Sequence, residues 1–201
     1  MKQLNISQAI QEGWKGTKAN FWMLAGFMAL FFVLGWLESM GTAARLVFNV
    51  VSWILTAVLM MVSLRIVRGG NRHLDGLGDL PLGPGKILQY FVVNLVTGLI
   101  VIGGLLLLVV PGIYWALKYQ YAPLLALDQD LSVGEALKRS AELTDGVKWG
   151  FVTFLIYAIG IGLLGLLALV VGVIPAGLTV HLAWIWLFED LKRQDPAGSR
   201  G

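Results

Sequence analysis

Six long runs of apolar residues constrain the fold of this chain more than any other feature of its sequence. A transmembrane α-helix needs about 17–25 mostly apolar residues to cross the hydrocarbon core, and four of the runs reach that length. The fourth and the sixth contain about 15 residues, a length that also suits re-entrant or interfacial segments. The runs are Phe21 to Leu37, Leu46 to Leu64, Ile87 to Val110, Ile113 to Leu127, Trp149 to Val173 and Ile174 to Phe188.

The distribution of basic residues decides whether the two short runs are spans or re-entrant or interfacial segments. They gather before the first run and after the second, fourth and sixth runs, whereas the alternate loops contain only Arg45. Because positively charged loops stay in the cytoplasm, this distribution predicts six crossings with both termini cytoplasmic. We therefore expect an all-α polytopic bundle of three hairpins (21–64, 87–127 and 149–188) in one membrane domain, 1–193, followed by a flexible cytoplasmic tail, 194–201.

Composition supports a membrane protein and excludes several other classes. Hydrophobic residues make up 57% of the chain and charged residues 13%, against roughly 45–50% and 25% in soluble domains. The net charge of +3 is too small to indicate a nucleic-acid partner. Cysteine is absent, which excludes disulfides, thiolate nucleophiles and iron–sulfur clusters. The predicted partners are membrane lipids, with other membrane proteins and the oligomeric state left open.

An internal repeat emerges when the chain is shifted by 127 positions. The pairs that coincide without a gap include Asn5 with Ser132, Gln8 with Glu135, Ala9 with Ala136, Thr17 with Thr144 and Trp22 with Trp149. Each copy opens with a capping box and continues as an amphipathic helix, predicted over 5–18 and 132–145. In the second copy we expect Glu135 to pair with Arg139 and Gly146 to end the helix. We interpret each copy as an interfacial elbow that leads into a transmembrane hairpin.

One segment, Ala136-Leu137-Lys138-Arg139-Ser140 with Leu143-Thr144, Gly146 and Trp149 downstream, resembles a known bacterial family. That family is the membrane domain attached to some glycerophosphoryl diester phosphodiesterases, together with its stand-alone relatives of unknown function. The resemblance extends to Pro111-Gly112-Ile113, to Tyr119 and Tyr121 before Asp128, and to Gly13-Trp14 with Asn20-Phe21-Trp22. It implies a six-helix protein of the bacterial inner membrane without an assigned activity. The phosphodiesterase domain is not in this sequence, so hydrolysis is not carried over.

Two ionisable residues within the apolar runs are candidate site residues, because charge inside a bilayer is costly. Lys118 lies seven residues after Pro111, and His181 lies six after Pro175, which predicts a similar depth for both. One hypothesis is a shared polar pocket that binds a lipid or an anionic ligand. The alternative is that Lys118 extends to the outer headgroups while neutral His181 hydrogen-bonds a neighbouring helix.

Other notable residues in the runs favour structural interpretations. The seven polar residues that could line a passage are better explained by hydrogen bonds between helices or to the local backbone. They are Asn49, Ser52, Thr56, Asn94, Thr97, Thr153 and Tyr157. A stripe of small residues indicates close helix packing, for which we favour a partner within the chain. It consists of Ala158, Gly162, Gly165, Ala168 and Gly172. Trp22 and Trp149 are placed as an aromatic belt requires.

The loops give no strong sign of catalysis. His73, Asp75 and Asp79 superficially suggest a metal site but are better read as solvated loop residues, and Gly83-Pro84-Gly85-Lys86 lacks the spacing of a phosphate loop. We predict no catalytic, cofactor or metal site. The favoured function is a non-enzymatic accessory, scaffold or membrane-organising protein. The alternative is a transporter or lipid-handling protein that uses a cavity near Lys118 and His181.

Overall fold

A computed structural model describes residues 2–37, 42–69, 83–167 and 172–195, and within these ranges the secondary structure is helical, with no β-strand. The all-α prediction is therefore confirmed for the described part of the chain. The helices are α1 (Ile6–Ala19), α2 (Phe21–Leu37), α3 (Thr42–Arg68), α4 (Pro84–Leu107), α5 (Val109–Tyr119), α6 (Ala122–Gln129), α7 (Val133–Thr144), α8 (Lys148–Leu167) and α9 (Val173–Arg193).

The predicted number of crossings is wrong. Within the described part of the chain, three helical segments are long and apolar enough to cross a membrane: Phe48–Arg68, Gly85–Leu107 and Lys148–Leu167. A fourth is added only if α1 and α2, which meet at a bend of 85°, are counted together as one span. The structure therefore supports an integral membrane protein with three or four helices of this kind, and not six.

The fourth apolar run does not form one helix. Its predicted span, Ile113 to Leu127, is divided between α5 and α6 by a break at Gln120 and Tyr121. Helix α5 has only 11 residues, and α6 has eight and begins with Pro123 at its first turn. A proline is tolerated there because the first amides of a helix have no intrahelical partner. Neither piece alone can cross a bilayer.

The turn between α4 and α5 lies before Pro111 and Gly112. It consists of the single extended residue Leu108, with φ −166° and ψ 149°, and Pro111 lies in the first turn of α5. The two helices pack closely beyond this turn. A Cβ atom added to Gly104 would lie 2.9 Å from the Gly112 Cα.

The sixth run continues as helix through the polar residues Glu189 to Arg193, so that α9 reaches 21 residues. Its last five residues include four charged side chains, Glu189, Asp190, Lys192 and Arg193. These charges shorten its apolar part, since a charged side chain is costly inside hydrocarbon. Helix α2, with 17 residues, lies at the lower limit of a span.

The two amphipathic helices form where the repeat predicts them, as α1 and α7. The capping box of α7 is confirmed: Glu135 accepts hydrogen bonds from the Ser132 amide at 3.0 Å and from its hydroxyl at 2.6 Å. Gly146 follows the end of α7 with φ +77°, a conformation that favours glycine. The expected pair between Glu135 and Arg139 is wrong, because Arg139 instead contacts Glu142 at 3.3 Å and Asp195 at 2.7 Å.

The chain divides into two compact units, each described separately. Unit 1 comprises Met1–Ile6, Leu82–Ala158 and Leu187–Gly201. In it, α4 packs against α5, α6 and α7, and α7 packs against α5 and α6. Unit 2 comprises Ser7–Pro81 and Ile159–Trp186, and in it α2 packs against α3.

The elbow α1 packs tightly against α9 in unit 2. A Cβ atom on Gly13 would lie 2.8 Å from the Ala183 amide nitrogen. The Thr179 hydroxyl lies 3.4 Å from that of Thr17, which is buried. Glycine at position 13 therefore permits a close approach of the two backbones, as small residues do between membrane helices.

The predicted small-residue stripe makes a close intramolecular contact at one position. A Cβ atom on Gly165 would lie 2.8 Å from the Ala176 Cβ. Gly162 has open space around it, and Ala168 lies outside the described residues. The interpretation of packing within the chain therefore holds at Gly165 and does not extend to Gly162.

Candidate functional site

Lys118 lies in the last turn of α5 in unit 1, where it is half-buried. Its amine sits 5.3 Å from the centre of the Tyr119 ring, within range of a cation–π interaction. Its backbone carbonyl accepts hydrogen bonds from the hydroxyls of Ser140 and Thr144 at 3.0 and 3.1 Å. The side chain is thus held beside an aromatic ring while its backbone is fixed by α7.

Helix α7 also stabilises the break between α5 and α6, which follows Lys118. The amide of Tyr121 donates to the Ser140 hydroxyl at 3.2 Å, and Ser140 is fully buried. The Tyr121 ring is also fully buried, with its centre 5.7 Å from the Phe151 ring and 5.1 Å from the Phe188 ring. Helix α7 therefore supplies polar partners for the backbone groups that the break exposes, which would otherwise be costly to bury.

His181 lies on α9 in unit 2, where its Nε2 is 3.0 Å from the Ser63 hydroxyl oxygen of α3. The single Ser63 proton is directed to the Leu59 carbonyl at 2.7 Å. With that assignment Ser63 accepts from His181, whose Nε2 carries a proton. The expected hydrogen bond from His181 to a neighbouring helix is present.

Lys118 and His181 belong to different units. Their proposed shared pocket therefore stays a prediction, as does the extension of Lys118 toward the outer headgroups. Each residue has contacts of its own within its unit.

Three of the seven other polar residues of the apolar runs donate to a carbonyl of their own helix. Asn49, Thr56 and Thr153 donate to carbonyls four residues earlier, at 2.9, 2.7 and 3.1 Å. These contacts agree with the local interpretation and give no support to a polar passage. Among the described buried atoms, the Ser52 and Thr97 hydroxyls have no hydrogen-bond partner.

A polar cluster in unit 1 joins the two ends of the chain, and sequence analysis missed it. Gln3 and Gln194 exchange two hydrogen bonds, at 2.9 and 2.8 Å. Nearby, Lys2 donates to the Glu142 carbonyl at 2.7 Å and lies 3.8 Å from Asp195. We call these five residues, with Arg139, the terminal cluster. No local pattern signals it, since Gln3 and Gln194 are 191 residues apart.

Another ion pair of the same unit joins Lys192 to Asp128. The Lys192 amine donates to Asp128 at 2.8 Å, and the Asp128 side chain is 5% exposed. The Lys192 amine also lies 5.2 Å from the centre of the Phe188 ring. The pair connects the end of α6 to the end of α9, and its low exposure makes it more than a solvated surface contact.

The described residues contain no group of three or more His, Cys, Asp or Glu side chains placed to hold a metal ion. His73, Asp75 and Asp79, the weak metal candidates of the sequence, lie outside the described residues. Among the described residues, the charged contacts are ion pairs and hydrogen bonds of the kind that stabilise helix ends.

Comparison of the chain with protein-family models, with curated proteins and with solved structures found no match. The resemblance to the phosphodiesterase-associated membrane domain therefore stays a prediction. What the fold and these contacts define is a class: an all-helical integral membrane protein with two amphipathic helices packed on apolar ones.

Proposed function

We propose that this chain is a non-enzymatic membrane-organising or scaffold protein of the bacterial inner membrane, with α1 and α7 lying on the cytoplasmic leaflet. The observation that carries the proposal is the two-sided character of α7. One side buries Ala136, Ser140, Leu143 and Thr144, while Glu135, Lys138 and Glu142 are exposed. A helix of this kind suits the boundary between lipid and water.

The geometry of α1 supports the same role. It meets α2 at 85°, as expected when a helix in the plane of the interface leads into one directed toward the bilayer interior. Ala9, Gly13 and Thr17 are buried, whereas Lys15 and Lys18 are exposed. Basic residues on the exposed side favour contact with anionic headgroups.

The repeat extends the argument to the residues that follow each elbow. Trp22 and Trp149, which coincide after the shift of 127 positions, are 86% and 84% exposed. Tryptophan is enriched where the headgroup layer meets hydrocarbon. Each elbow would then be anchored in the headgroup layer by the tryptophan that follows it.

The position of the termini supports placing both on one side. Because Gln3 and Gln194 hydrogen-bond each other, the residues before α1 and the end of α9 lie together in unit 1. The basic residues Lys2, Lys192 and Arg193 near these ends favour the cytoplasmic side.

The alternative function, a transporter or lipid-handling protein, is favoured by one feature. Lys118 is half-buried in an apolar helix, its amine faces the Tyr119 ring, and a lysine in that setting can receive an anionic headgroup. His181 already has a protein partner in Ser63, which weakens its case as a ligand-binding residue.

Native purification tests the two functions against each other. The full chain is extracted with its surrounding lipid, and co-purifying proteins and lipids are identified for wild type, Leu137→Asp and Lys118→Met. The scaffold function predicts that Leu137→Asp, on the half-buried edge of α7, changes the co-purifying set and Lys118→Met does not.

The matched control is Glu142→Ala, which alters the exposed side of the same helix. Selective loss of an anionic lipid from Lys118→Met, with Leu137→Asp unchanged, would replace the scaffold function with the lipid-handling one. Thermal melting in detergent separates either effect from loss of the fold.

A further inference from the structure

The turn between α4 and α5 exposes an unbroken apolar surface. All six residues from Leu105 to Val110 are apolar and exposed, with Leu106 at 83% and Val110 at 77%. A hairpin that crossed the bilayer completely would present this turn to the opposite headgroups and to water. Exposed apolar patches of this kind mark contact with a membrane or another protein.

The charged helix α7 lies close to this turn. Its hydroxyls bind the Lys118 carbonyl, nine residues beyond Val109. At a rise of about 1.5 Å per residue, that distance is about 14 Å along α5. This length is an upper limit on the difference in depth between the turn and α7, because an oblique helix crosses less of the bilayer per residue, and half of the hydrocarbon core is about 15 Å.

The ion pair of Lys148 and Asp145, at the start of α8, contacts α5 nearer to the turn than Lys118. Lys148 contacts Asp145 at 3.2 Å and donates to the Tyr114 hydroxyl at 3.2 Å, with its amine 4.7 Å from the Tyr114 ring centre. Tyr114 follows Val109 by only five residues, and the Asp145 side chain is 79% exposed. An exposed carboxylate is costly to place in hydrocarbon.

The pairing of α4 with α5 and α6 shows where α7 would lie if α4 crossed. Gly104 approaches Gly112 near one end of α4, and Gln89 donates to the Leu131 carbonyl near the other. Lys118 therefore lies about midway along the hairpin, at the level where a crossing helix has the bilayer centre. The exposed carboxylates of Glu142 and Asp145 would then sit in hydrocarbon.

Helix α4 has two distinct sides, which suits an oblique path. Tyr90 and Val93 are buried in unit 1. Leu88, Leu95, Leu99 and Ile102 are 63%, 49%, 61% and 55% exposed and follow helical spacing. One side of α4 can thus face lipid along its length while the other carries α6 and α7.

We propose that the α4–α5 hairpin is a wedge in a single leaflet: it enters obliquely, ends near the bilayer centre and returns to the side from which it came. The partner of its exposed surface is the acyl-chain layer of that leaflet, and α7 lies in the headgroup layer above it. Lys86 and Lys138, which flank the hairpin, stay on the same side, as the distribution of basic residues requires. The wedge rests on contacts within unit 1 alone and does not depend on the scaffold function.

Spin labels along the hairpin test the wedge directly. Because the chain has no cysteine, single cysteines can be introduced at Leu88, Leu95, Leu99 and Leu106, all exposed positions. The full-length variants are reconstituted in vesicles of phosphatidylcholine and phosphatidylglycerol. Depth is read from collisions with oxygen, which enters hydrocarbon, and with a water-soluble nickel chelate, which does not. This readout does not depend on the orientation of the protein in the vesicle.

The wedge predicts that depth increases from Leu88 to Leu106 and that nickel collisions at Leu106 fall to background. A label at Lys138 is the matched control and should collide freely with nickel. A crossing hairpin gives a different profile, deepest at Leu95 and Leu99 and shallow at both Leu88 and Leu106. That profile would overturn the wedge and leave the scaffold function, which is tested by co-purification, unaffected.

Discussion

Ser140 donates a hydrogen bond from its side-chain hydroxyl to the backbone carbonyl of Lys118, 3.0 Å away. The Ser140 hydroxyl oxygen also accepts from the Tyr121 amide. Thr144, one turn later in α7, donates to the Lys118 carbonyl as well. Two hydroxyls on α7 thus satisfy backbone groups on both sides of the break between α5 and α6. The break and α7 are parts of one structure, because neither would be stable in an apolar setting without the other.

Replacing Ser140 with alanine should destabilise the protein by about 1–3 kcal/mol, because buried backbone groups at the break lose their partner. The measurement is the midpoint of thermal unfolding in detergent. Lys138→Ala, on the exposed side of the same helix, is the control and should change stability by less than about 0.5 kcal/mol.

Combining Ser140→Ala with Thr144→Val should cost more than the sum of the two changes. The Thr144 hydroxyl lies 2.9 Å from the Ser140 carbonyl and 3.1 Å from the Lys118 carbonyl, so it can serve the Lys118 carbonyl when Ser140 is replaced. Simple additivity within the error of the measurement would show that the two hydroxyls act independently. The role of the Lys118 carbonyl as their common acceptor would then be wrong.

Replacing the adjacent α4 residues Gly103 and Gly104 with alanine should change the stability of the protein in opposite directions. A Cβ atom at Gly104 would lie 2.9 Å from the Gly112 Cα and 2.6 Å from the Trp115 ring, whereas Gly103 has open space. We expect Gly104→Ala to destabilise by about 1–3 kcal/mol through overpacking. Gly103→Ala should stabilise by up to about 1 kcal/mol, since alanine favours helix.

Thermal unfolding of both variants in the same detergent checks this pair. Equal effects at the two positions would mean that α4 and α5 do not approach closely at Gly104. The prediction tests the hairpin contact alone, and it holds whether the hairpin crosses the bilayer or ends within it.

The parts of the fold that the sequence predicted depend on local patterns. The capping box at Ser132, the end of α7 at Gly146 and the positions of Trp22 and Trp149 at helix starts all follow from residue types at fixed spacings. Local preferences of this kind act over one or two helical turns, so a single sequence can reveal them.

The break between α5 and α6 had a signal that was overlooked. Pro123 lies inside the apolar run of 113–127, and proline disfavours helix in the residue before it. Hydropathy alone joined the two pieces, because the residues on both sides are apolar. The resulting span was wrong, and the count of six crossings depended on it.

The terminal cluster and the Ser63–His181 contact had no such signal. Each joins residues that are more than a hundred positions apart, 191 for Gln3 and Gln194 and 118 for Ser63 and His181. Contacts of this kind depend on tertiary packing, which hydrophobic periodicity does not encode. Lys118 and His181 could be selected as candidates from burial cost, but their partners could not.

Acidification should weaken the N-terminal cap of α7. The pKa of Glu135 is lowered from its usual 4.5, chiefly by the hydrogen bond from the Ser132 hydroxyl. A lowered folded-state pKa gives stability that is complete above the unfolded value and is lost as pH falls through the folded one. The pKa of Asp145 is lowered too, first by the hydrogen bond that it accepts from Lys148. Its protonation therefore also reduces stability as pH falls.

We therefore expect the thermal midpoint to fall between pH 6 and pH 3, and Glu135→Gln to show a smaller fall than wild type. Glu142→Gln, which leaves the capping box intact, is the control and should retain the wild-type contribution of Glu135. The same pH dependence in Glu135→Gln as in wild type would mean that the cap adds nothing to stability. The effect should be small, since Glu135 is exposed and its interactions are screened by solvent.

The contact between Ser63 and His181 should make a measurable contribution to the stability of unit 2. The hydroxyl accepts from His181 Nε2 and donates to the Leu59 carbonyl, so Ser63→Ala removes both bonds and leaves the imidazole proton without this acceptor. Hydrogen bonds between membrane helices contribute about 0.6 kcal/mol on average and up to about 1.7. A double-mutant cycle with Ser63→Ala and His181→Ala isolates the part that belongs to the pair, measured as a coupling energy from thermal or denaturant unfolding.

Thr56→Ala is the matched control, because Thr56 donates to the Ser52 carbonyl four residues earlier, as Ser63 does to Leu59. It should show no coupling to His181→Ala. His181→Gln supplies an amide donor in place of the imidazole and should recover part of the lost stability when Ser63 is present, but not in Ser63→Ala. Zero coupling between Ser63 and His181 would leave His181 without a structural role, and the histidine would return as a candidate ligand-binding residue.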